Sequence, residues 1–324
     1  MKTRMAYILA ASHSGSTLLA ILLGGHPEVC TAGELKASCM GDVDRYLCSC
    51  RAKIRECLFW DGVRREMADR GFDFDVADAG TDLAAGAGPY VRRLLRPLHR
   101  GPAMECLRDA ALSLSPGWRR RLSRFQERNA ALAGAICARA GKGVIVDSSK
   151  VGVRLKYLLR NPALDVRVVR LVRDGRGVAL AYADPARFAD AADPALRGGG
   201  AGGDRADEML AISGAAMEWR RSNEEAEAVL SGLDPRKWKA VRYEDLCADP
   251  ERTLRSLFSF LGVDPGVGVG RLDFGGLHVI GNGMRLDGPP RILLDERWRE
   301  ALTPRDLRVF DSVAGPMNRR YGYR

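Results

Sequence analysis

The sequence predicts an α/β chain in three layers, a mostly parallel central sheet flanked by helices, and three observations carry that prediction. Short apolar, β-branched runs (Met5–Ala10, Val144–Val146, Val166–Val172 and Trp238–Arg242) alternate with longer stretches of helical periodicity. Polar or charged motifs begin where those runs end: Ser12–Thr17, Asp147–Lys150, Arg173–Arg176 and Tyr243–Asp245. In parallel sheets, ligands gather beyond the carboxyl ends of the strands, so these motifs are expected to converge. No internal repeat interrupts the pattern, and 324 residues suffice to bury a large core.

In chain order, Met5–Ala10 reads as a buried strand and Thr17–Leu23 as the start of a buried helix stopped by Gly24-Gly25. The turn between them, Ser12, His13, Ser14, Gly15, Ser16 and Thr17, joins hydroxyls to the free amides and positive dipole end of a helix start. That combination suits an anion, above all a phosphate, and makes the fold P-loop-like. The residue after Gly15 is Ser16 and the turn holds no lysine, so the Gly-Lys-Ser/Thr of ATP- and GTP-hydrolysing loops is missing. Thr31–Leu35 reads as a loop returning toward this turn, Cys39–Trp60 as an irregular insertion, and Asp61–Arg70 as a helix. The Gly- and Asp-rich run Gly71–Gly88 reads as loop. Tyr90–Arg100, Pro102–Leu114 and Trp118–Ala140 are predicted helices. Val144–Val146 is a strand ending at Asp147, whose carboxylate is expected to cap the helix Val151–Leu159. Val166–Val172 is a second core strand, and Gly175–Tyr182 opens another helix. Leu196–Asp204 has a composition that cannot hold a fixed structure alone, and reads as a surface insertion or a mobile lid. Ala206–Leu230 is a long helix, Trp238–Arg242 a third core strand, Pro250–Leu261 an amphipathic helix and Asp264–Gly270 a loop. Asp295–Leu302 and Pro304–Arg319 close the chain as helices. One domain, 1–324, is expected, with a Cys-containing, helical insertion at about 36–140 shaping a ligand site.

The formal charge of +10 favours an anionic partner: a nucleotide, an acidic glycan, a lipid headgroup or nucleic acid. Nucleic acid is disfavoured, because neither zinc-finger spacing nor an RNA-binding aromatic signature is present. Lys2 and Arg4 before an apolar run imitate a signal peptide, but that run is short and cut by Ser12–Ser16. No stretch has the length of a membrane span, and a cytoplasmic protein is expected. Eight cysteines in a chain this long do not make a disulfide scaffold. Cys48, Cys50 and Cys57, with Cys30 and Cys39 upstream, have neither Cys-x-x-Cys spacing nor a neighbouring histidine. They read as reduced structural thiols rather than a zinc site.

Five ordered motifs carry a resemblance: the turn Ser12–Thr17, His26–Val29 with Gly33–Leu35, Val146–Lys150, Val168–Arg176, and Val241–Leu246. The set resembles the sulfotransferases that use 3′-phosphoadenosine-5′-phosphosulfate (PAPS), nearest to the bacterial branch related to tyrosylprotein and carbohydrate sulfotransferases. The resemblance implies PAPS as donor, 3′-phosphoadenosine-5′-phosphate (PAP) as product and no required metal. The acceptor it implies is a small molecule, glycan, lipid or peptide, and the oligomeric state is open. It makes Ser12, His13, Ser14, Gly15, Ser16 and Thr17 the cradle of the 5′-phosphosulfate and Lys150 the cation on the departing phosphate. Arg173 would hold the 3′-phosphate, with Arg176 and Tyr243 as further nucleotide contacts; Arg285, in a late loop, reads from its own charge as an extra phosphate or sulfate contact. Glu34, at the family's spacing from the turn, or else His13, would take the acceptor's proton. The chain departs from the family pattern at His13, where relatives carry Arg or Lys, and at Ala181, where many carry serine. The alternatives are a nucleotide-dependent kinase on the same fold and a non-catalytic module that binds an anionic polymer through arginine-rich helices.

Overall fold

The structure, a computed structural model, describes residues 2–36, 40, 42–95, 101–201 and 208–324. Five strands, β1 (Thr3–Leu9), β2 (Val29–Gly33), β3 (Val144–Lys150), β4 (Leu164–Val172) and β5 (Trp238–Arg242), form one sheet in the order β2-β3-β1-β4-β5. Every pairing is parallel, so all five carboxyl ends lie along one edge. The central strand reads as an unbroken apolar run because both its faces are covered. Met5, Tyr7 and Leu9 enter one core with helices α2 (Leu58–Asp69), α5 (Trp118–Ala140) and α6 (Gly152–Leu158), which follow α1 (Ser16–Gly24) in the chain. Ala6 and Ile8 enter the other, with α1 and the later helix Pro250–Leu261. This period-2 division of one strand is the physical origin of the three layers.

Helices α3 (Pro89–Leu94) and α4 (Gly101–Ser113) precede α5, and the remainder follow β4: α7 (Gly175–Ala183), α8 (Pro185–Phe188), α9 (Ile212–Ser231), α10 (Tyr243–Ala248), α11 (Pro250–Leu261), α12 (Trp298–Ala301) and α13 (Pro304–Arg320). Trp219 of α9, Phe310 of α13 and the small residues Val178, Ala179, Ala215 and Ala216 make a third core. No helix among the described residues is long and apolar enough to cross a membrane.

Several elements differ from the sequence expectation. Thr31–Leu35, read as loop, overlaps a strand: β2 pairs with β3 through Thr31, whose hydroxyl also donates to the Val146 carbonyl at 3.1 Å. Its five residues, VCTAG, are too short and too poor in large aliphatics to announce a strand. Strand β3 runs on through Asp147 to Lys150. Asp147 caps nothing: α6 starts after Val151, while the Asp147 carboxylate is fully buried and pairs with Arg154 at 3.1 Å. Helix α5 lies against β1, β2 and β3, so the end of the expected insertion is itself a layer of the fold. The expected helix at Tyr90–Arg100 is described only as far as Leu95, and the start of the one at Ala206 lies outside the described residues. The described part of the Gly-rich run is folded, with Gly199 packed on Tyr46. Asp295–Leu302 shortens to α12.

Candidate active site

All five strands contribute to one cavity of about 1120 Å³ at their carboxyl ends. β1 runs into Ser12, His13, Gly15, Ser16 and Thr17; β2 into Glu34; β3 ends on Lys150; β4 leads to Arg173; β5 leads to Tyr243; and each of these residues lines the cavity. A second lobe of about 300 Å³ adjoins it and shares Ser12, Glu34, Lys150, Tyr46 and Gly281 as lining. Glu34 and Lys150 therefore stand where the two lobes meet.

The turn after β1 is shaped by two residues with positive φ, His13 at 60° and Gly15 at 86°. Gly15 is the N-cap of α1 and supplies no side-chain cap, so the first amides of the helix are left for something else to accept. The Tyr243 ring closes over Gly15: a Cβ added there would lie 2.6 Å from Tyr243 Cδ2. That ring is held by its hydroxyl, which donates to Leu293 O at 2.9 Å and accepts from the Asp295 amide at 3.2 Å. Gly15→Ala is thus expected to lower stability by about 1–3 kcal/mol, from the left-handed backbone and the displaced ring together. Urea unfolding of the variant checks this, and an unchanged midpoint would contradict it.

Glu34 and Lys150 are brought together by backbone zipping. Asp147 accepts from the Leu35 amide at 3.2 Å and from the Ser149 amide at 2.9 Å, and the Ser149 hydroxyl accepts from the Lys36 amide at 2.9 Å. Arg154 holds the other Asp147 oxygen and donates to Thr81 O at 2.6 Å. The buried Asp147–Arg154 pair thereby fixes the residues on either side of the site. Across this frame Lys150 Nζ forms an ion pair with Glu34 Oε1. Lys150, the last residue of β3, adopts a positive φ of 68°.

Arg173 donates to the His13 carbonyl at 2.9 Å and to Asp295 Oδ2 at 2.9 Å, and its guanidinium lies 4.7 Å from the Tyr243 ring centroid. It braces the turn from below while lining the cavity. Burial pushes the Asp295 carboxyl up, but its bonds to Arg297 and Arg173 outweigh that and hold it well below the usual range. His13 lines the cavity with its ring edge-on to Tyr182 at 4.5 Å.

Three expected site residues stand elsewhere. Arg176 does not line the cavity: Asp174 holds it at 2.6 Å, and it stacks 4.0 Å from the Trp298 ring centroid. Arg285 is buried and spends its guanidinium on the carbonyls of Leu47, Val279, Gly281 and Asn282, so it braces a loop instead of meeting a ligand. Ser14 is buried beneath the turn and is absent from the cavity lining. Ala181 is likewise buried, while the neighbouring Tyr182 lines the cavity. Arg187, Arg291 and Arg297 also line it, and sequence reading missed all three. Arg187 sits in the one-turn helix α8 and Arg291 and Arg297 in irregular segments, where no periodicity distinguishes a cavity arginine from a solvated one.

Glu225 of α9 faces the smaller lobe, and burial raises its carboxyl pKa to about 7 despite the opposing charge of Arg108, with Glu105 and Glu218 adding to the rise. A folded-state value above the unfolded one of 4.5 means that this carboxyl favours folding below about pH 4.5 and loses that contribution as pH rises through about 7. Glu225→Gln is expected to exceed the parent in stability at pH 8, by up to about 3 kcal/mol, with the gap closing toward pH 4.5. Denaturant titrations at the two pH values check this, and a pH-independent gap would contradict it.

The cysteine cluster has a member that the sequence reading missed. His278, far away in the chain, brings Nδ1 to 3.6 Å from Cys48 Sγ and 3.3 Å from Cys57 Sγ. The expectation that no histidine accompanies these thiols is therefore corrected. The upstream Cys39 lies outside the described residues, and Cys30 pairs with Cys137 instead.

Known proteins match parts of this chain. A family model described as "Sulfotransferase family" matches residues 158–265, the segment that carries Arg173 and Tyr243. Human carbohydrate sulfotransferase 2 is 34% identical over 34% of this chain and 25% of its own length. Carbohydrate sulfotransferase 5 of Mus musculus is 28% identical over 52% of this chain and 44% of its own. The chain thus spans less than half the length of these curated relatives. The solved sulfotransferase STF9 of Mycobacterium avium aligns with 100% of this chain and 78% of its own, at a TM-score of 0.49 and 12% identity. By these matches, residues 158–265 are similar to the sulfotransferase family and part of the chain is similar to carbohydrate sulfotransferases.

Proposed function

We propose that this protein transfers a sulfuryl group from PAPS to a hydroxyl or amine acceptor, releasing PAP. The observation that carries the reading is the Lys150–Glu34 ion pair at the junction of the two lobes, beside the uncapped amides of α1. Sulfuryl transfer needs a cradle for the donor's phosphosulfate, a cation for the phosphate that departs and a base for the acceptor's proton. These three requirements match the turn, Lys150 and Glu34.

In this reading the amides and hydroxyls of Gly15, Ser16 and Thr17 hold the 5′-phosphosulfate. Arg173, steadied by Asp295 and stacked on Tyr243, offers its fork to the 3′-phosphate. The acceptor enters through the smaller lobe. Its oxygen or nitrogen forms a bond to sulfur as the bond from sulfur to the phosphate oxygen breaks. The acceptor's proton passes to a Glu34 oxygen, and Lys150 Nζ turns from Glu34 to the phosphate oxygen that leaves. Glu34 is the base rather than His13, because Glu34 alone is shared by both lobes and paired with that lysine. Carbohydrate sulfotransferases among the relatives favour a glycan hydroxyl as acceptor.

The test is transfer of ³⁵S from labelled PAPS to a panel of mono- and oligosaccharides, phenols, peptides and lipid headgroups. The label is expected to move to at least one hydroxyl acceptor without added magnesium. Magnesium-dependent transfer of phosphate from ATP, with none from PAPS, would instead establish a kinase.

A further inference from the structure

Outside the cavity, three thiols and one imidazole point at a common centre. The ligand atoms of Cys48, Cys50, Cys57 and His278 all lie within 4.8 Å of one another. A zinc ion with bonds of about 2.3 Å to sulfur and 2.0 Å to nitrogen sets tetrahedral edges of about 3.8 Å between sulfurs and 3.5 Å from sulfur to nitrogen. The observed edges are 3.7 Å for Cys50–Cys57, 3.3 Å for Cys57–His278 and 3.6 Å for Cys48–His278. A disulfide would use two of the three thiols and leave the third and the imidazole without a role.

The surroundings are built to present these atoms. Leu47 and Lys53 pair antiparallel, the Cys48 amide donates to Ala52 O at 2.9 Å, and Arg51 takes a φ of 65°, so that Cys48 and Cys50 project from a tight knuckle. Cys57 immediately precedes α2. His278 is fixed from two directions: its ring stacks on Phe59 at 4.4 Å, and Ser49 Oγ donates to Leu277 O and accepts from the Val279 amide, both at 2.8 Å. Fixing the ring in this way aims Nδ1 at the thiols, the job that outer partners do for metal-bound histidines.

We propose that Cys48, Cys50, Cys57 and His278 form a structural zinc site that clamps the 48–57 knuckle to the 277–285 loop. Four protein ligands close the coordination sphere and leave no position for substrate, which marks the site as structural. What it clamps is the wall of the cavity. The loop pairs with β2, where the Ile280 amide donates to Ala32 O at 2.9 Å, and carries Gly281 against Glu34. Tyr46, just before the knuckle, bonds Gly281 from both sides, donating to its carbonyl at 3.0 Å and accepting from its amide at 2.8 Å. The metal stands outside the chemistry, and the expectation of no required metal is narrowed to the reaction itself.

The experiment is elemental analysis of the full chain, purified reduced and without chelator, with Cys106→Ser as a control thiol change outside the cluster and Cys50→Ser, at the exposed ligand, as the test. One zinc per chain is expected in the parent and in Cys106→Ser, with at least a tenfold loss in Cys50→Ser. Stripping zinc is expected to lower the parent's Tm by about 10 °C, with cobalt restoring it and giving the intense visible bands of tetrahedral thiolate coordination. A folded parent that holds no stoichiometric zinc and develops no such bands with cobalt would overturn the proposal. So would Cys50→Ser that retains a full equivalent. These readouts do not involve PAPS, so they stand or fall apart from the proposed activity.

Discussion

Lys150→Ala is expected to slow sulfuryl transfer by about 10²–10³-fold while leaving the fold intact, the loss typical of removing one charge-stabilising group from a transition state. The fold should survive because Glu34, the lysine's ion-pair partner, is about a third exposed and regains water when the pair is broken. PAP affinity should fall much less than the rate, since the cradle amides and Arg173 remain. Single-turnover transfer to the best acceptor from the labelled-PAPS panel, set beside thermal unfolding of the same sample, separates the two effects. A well-folded variant with unchanged turnover would remove Lys150 from the mechanism.

Glu34→Gln is expected to cost about 10²–10⁴-fold in rate, the range for a general base, with PAP binding retained. The amide keeps the shape of the carboxylate and its place beside Lys150 but accepts no proton. His13→Asn serves as the comparison: if His13 were the base, that variant would carry the loss and Glu34→Gln would not. The two side chains touch, so the double variant Lys150→Ala/Glu34→Gln is expected to lose less than the product of the single losses. Multiplicative losses would mean that the ion pair is incidental to the reaction.

The sequence made the parallel sheet legible because strands buried on both faces are written as unbroken apolar runs. β1, β4 and β5 could be placed from those runs, and α5 and α11 from their helical period. β2 was illegible because an edge strand of five small residues has no such signature. Four of the expected site residues, Glu34, Lys150, Arg173 and Tyr243, line the cavity because they stand on the last residue of a strand or one residue past it, where topology alone brings them there. Arg176 and Arg285 carry the right charge, but local partners, Asp174 for the one and backbone carbonyls for the other, claim their guanidiniums. Nothing in spacing reveals such a claim. His278 shows the converse limit. It stands 221 residues after Cys57, and only the pairing of its loop with β2 and Ser49 brings it to the thiols.

Under the proposed function, the cavity at the strand ends takes a nucleotide carrying phosphates at both ends. Calorimetric titration with PAP, without magnesium and with ATP and AMP as controls, tests it most directly. The account predicts tight PAP binding that is lost in Arg173→Ala and weaker or absent binding of AMP, which lacks the 3′-phosphate. A folded protein that ignores PAP, or that binds ATP more tightly in magnesium, would contradict it.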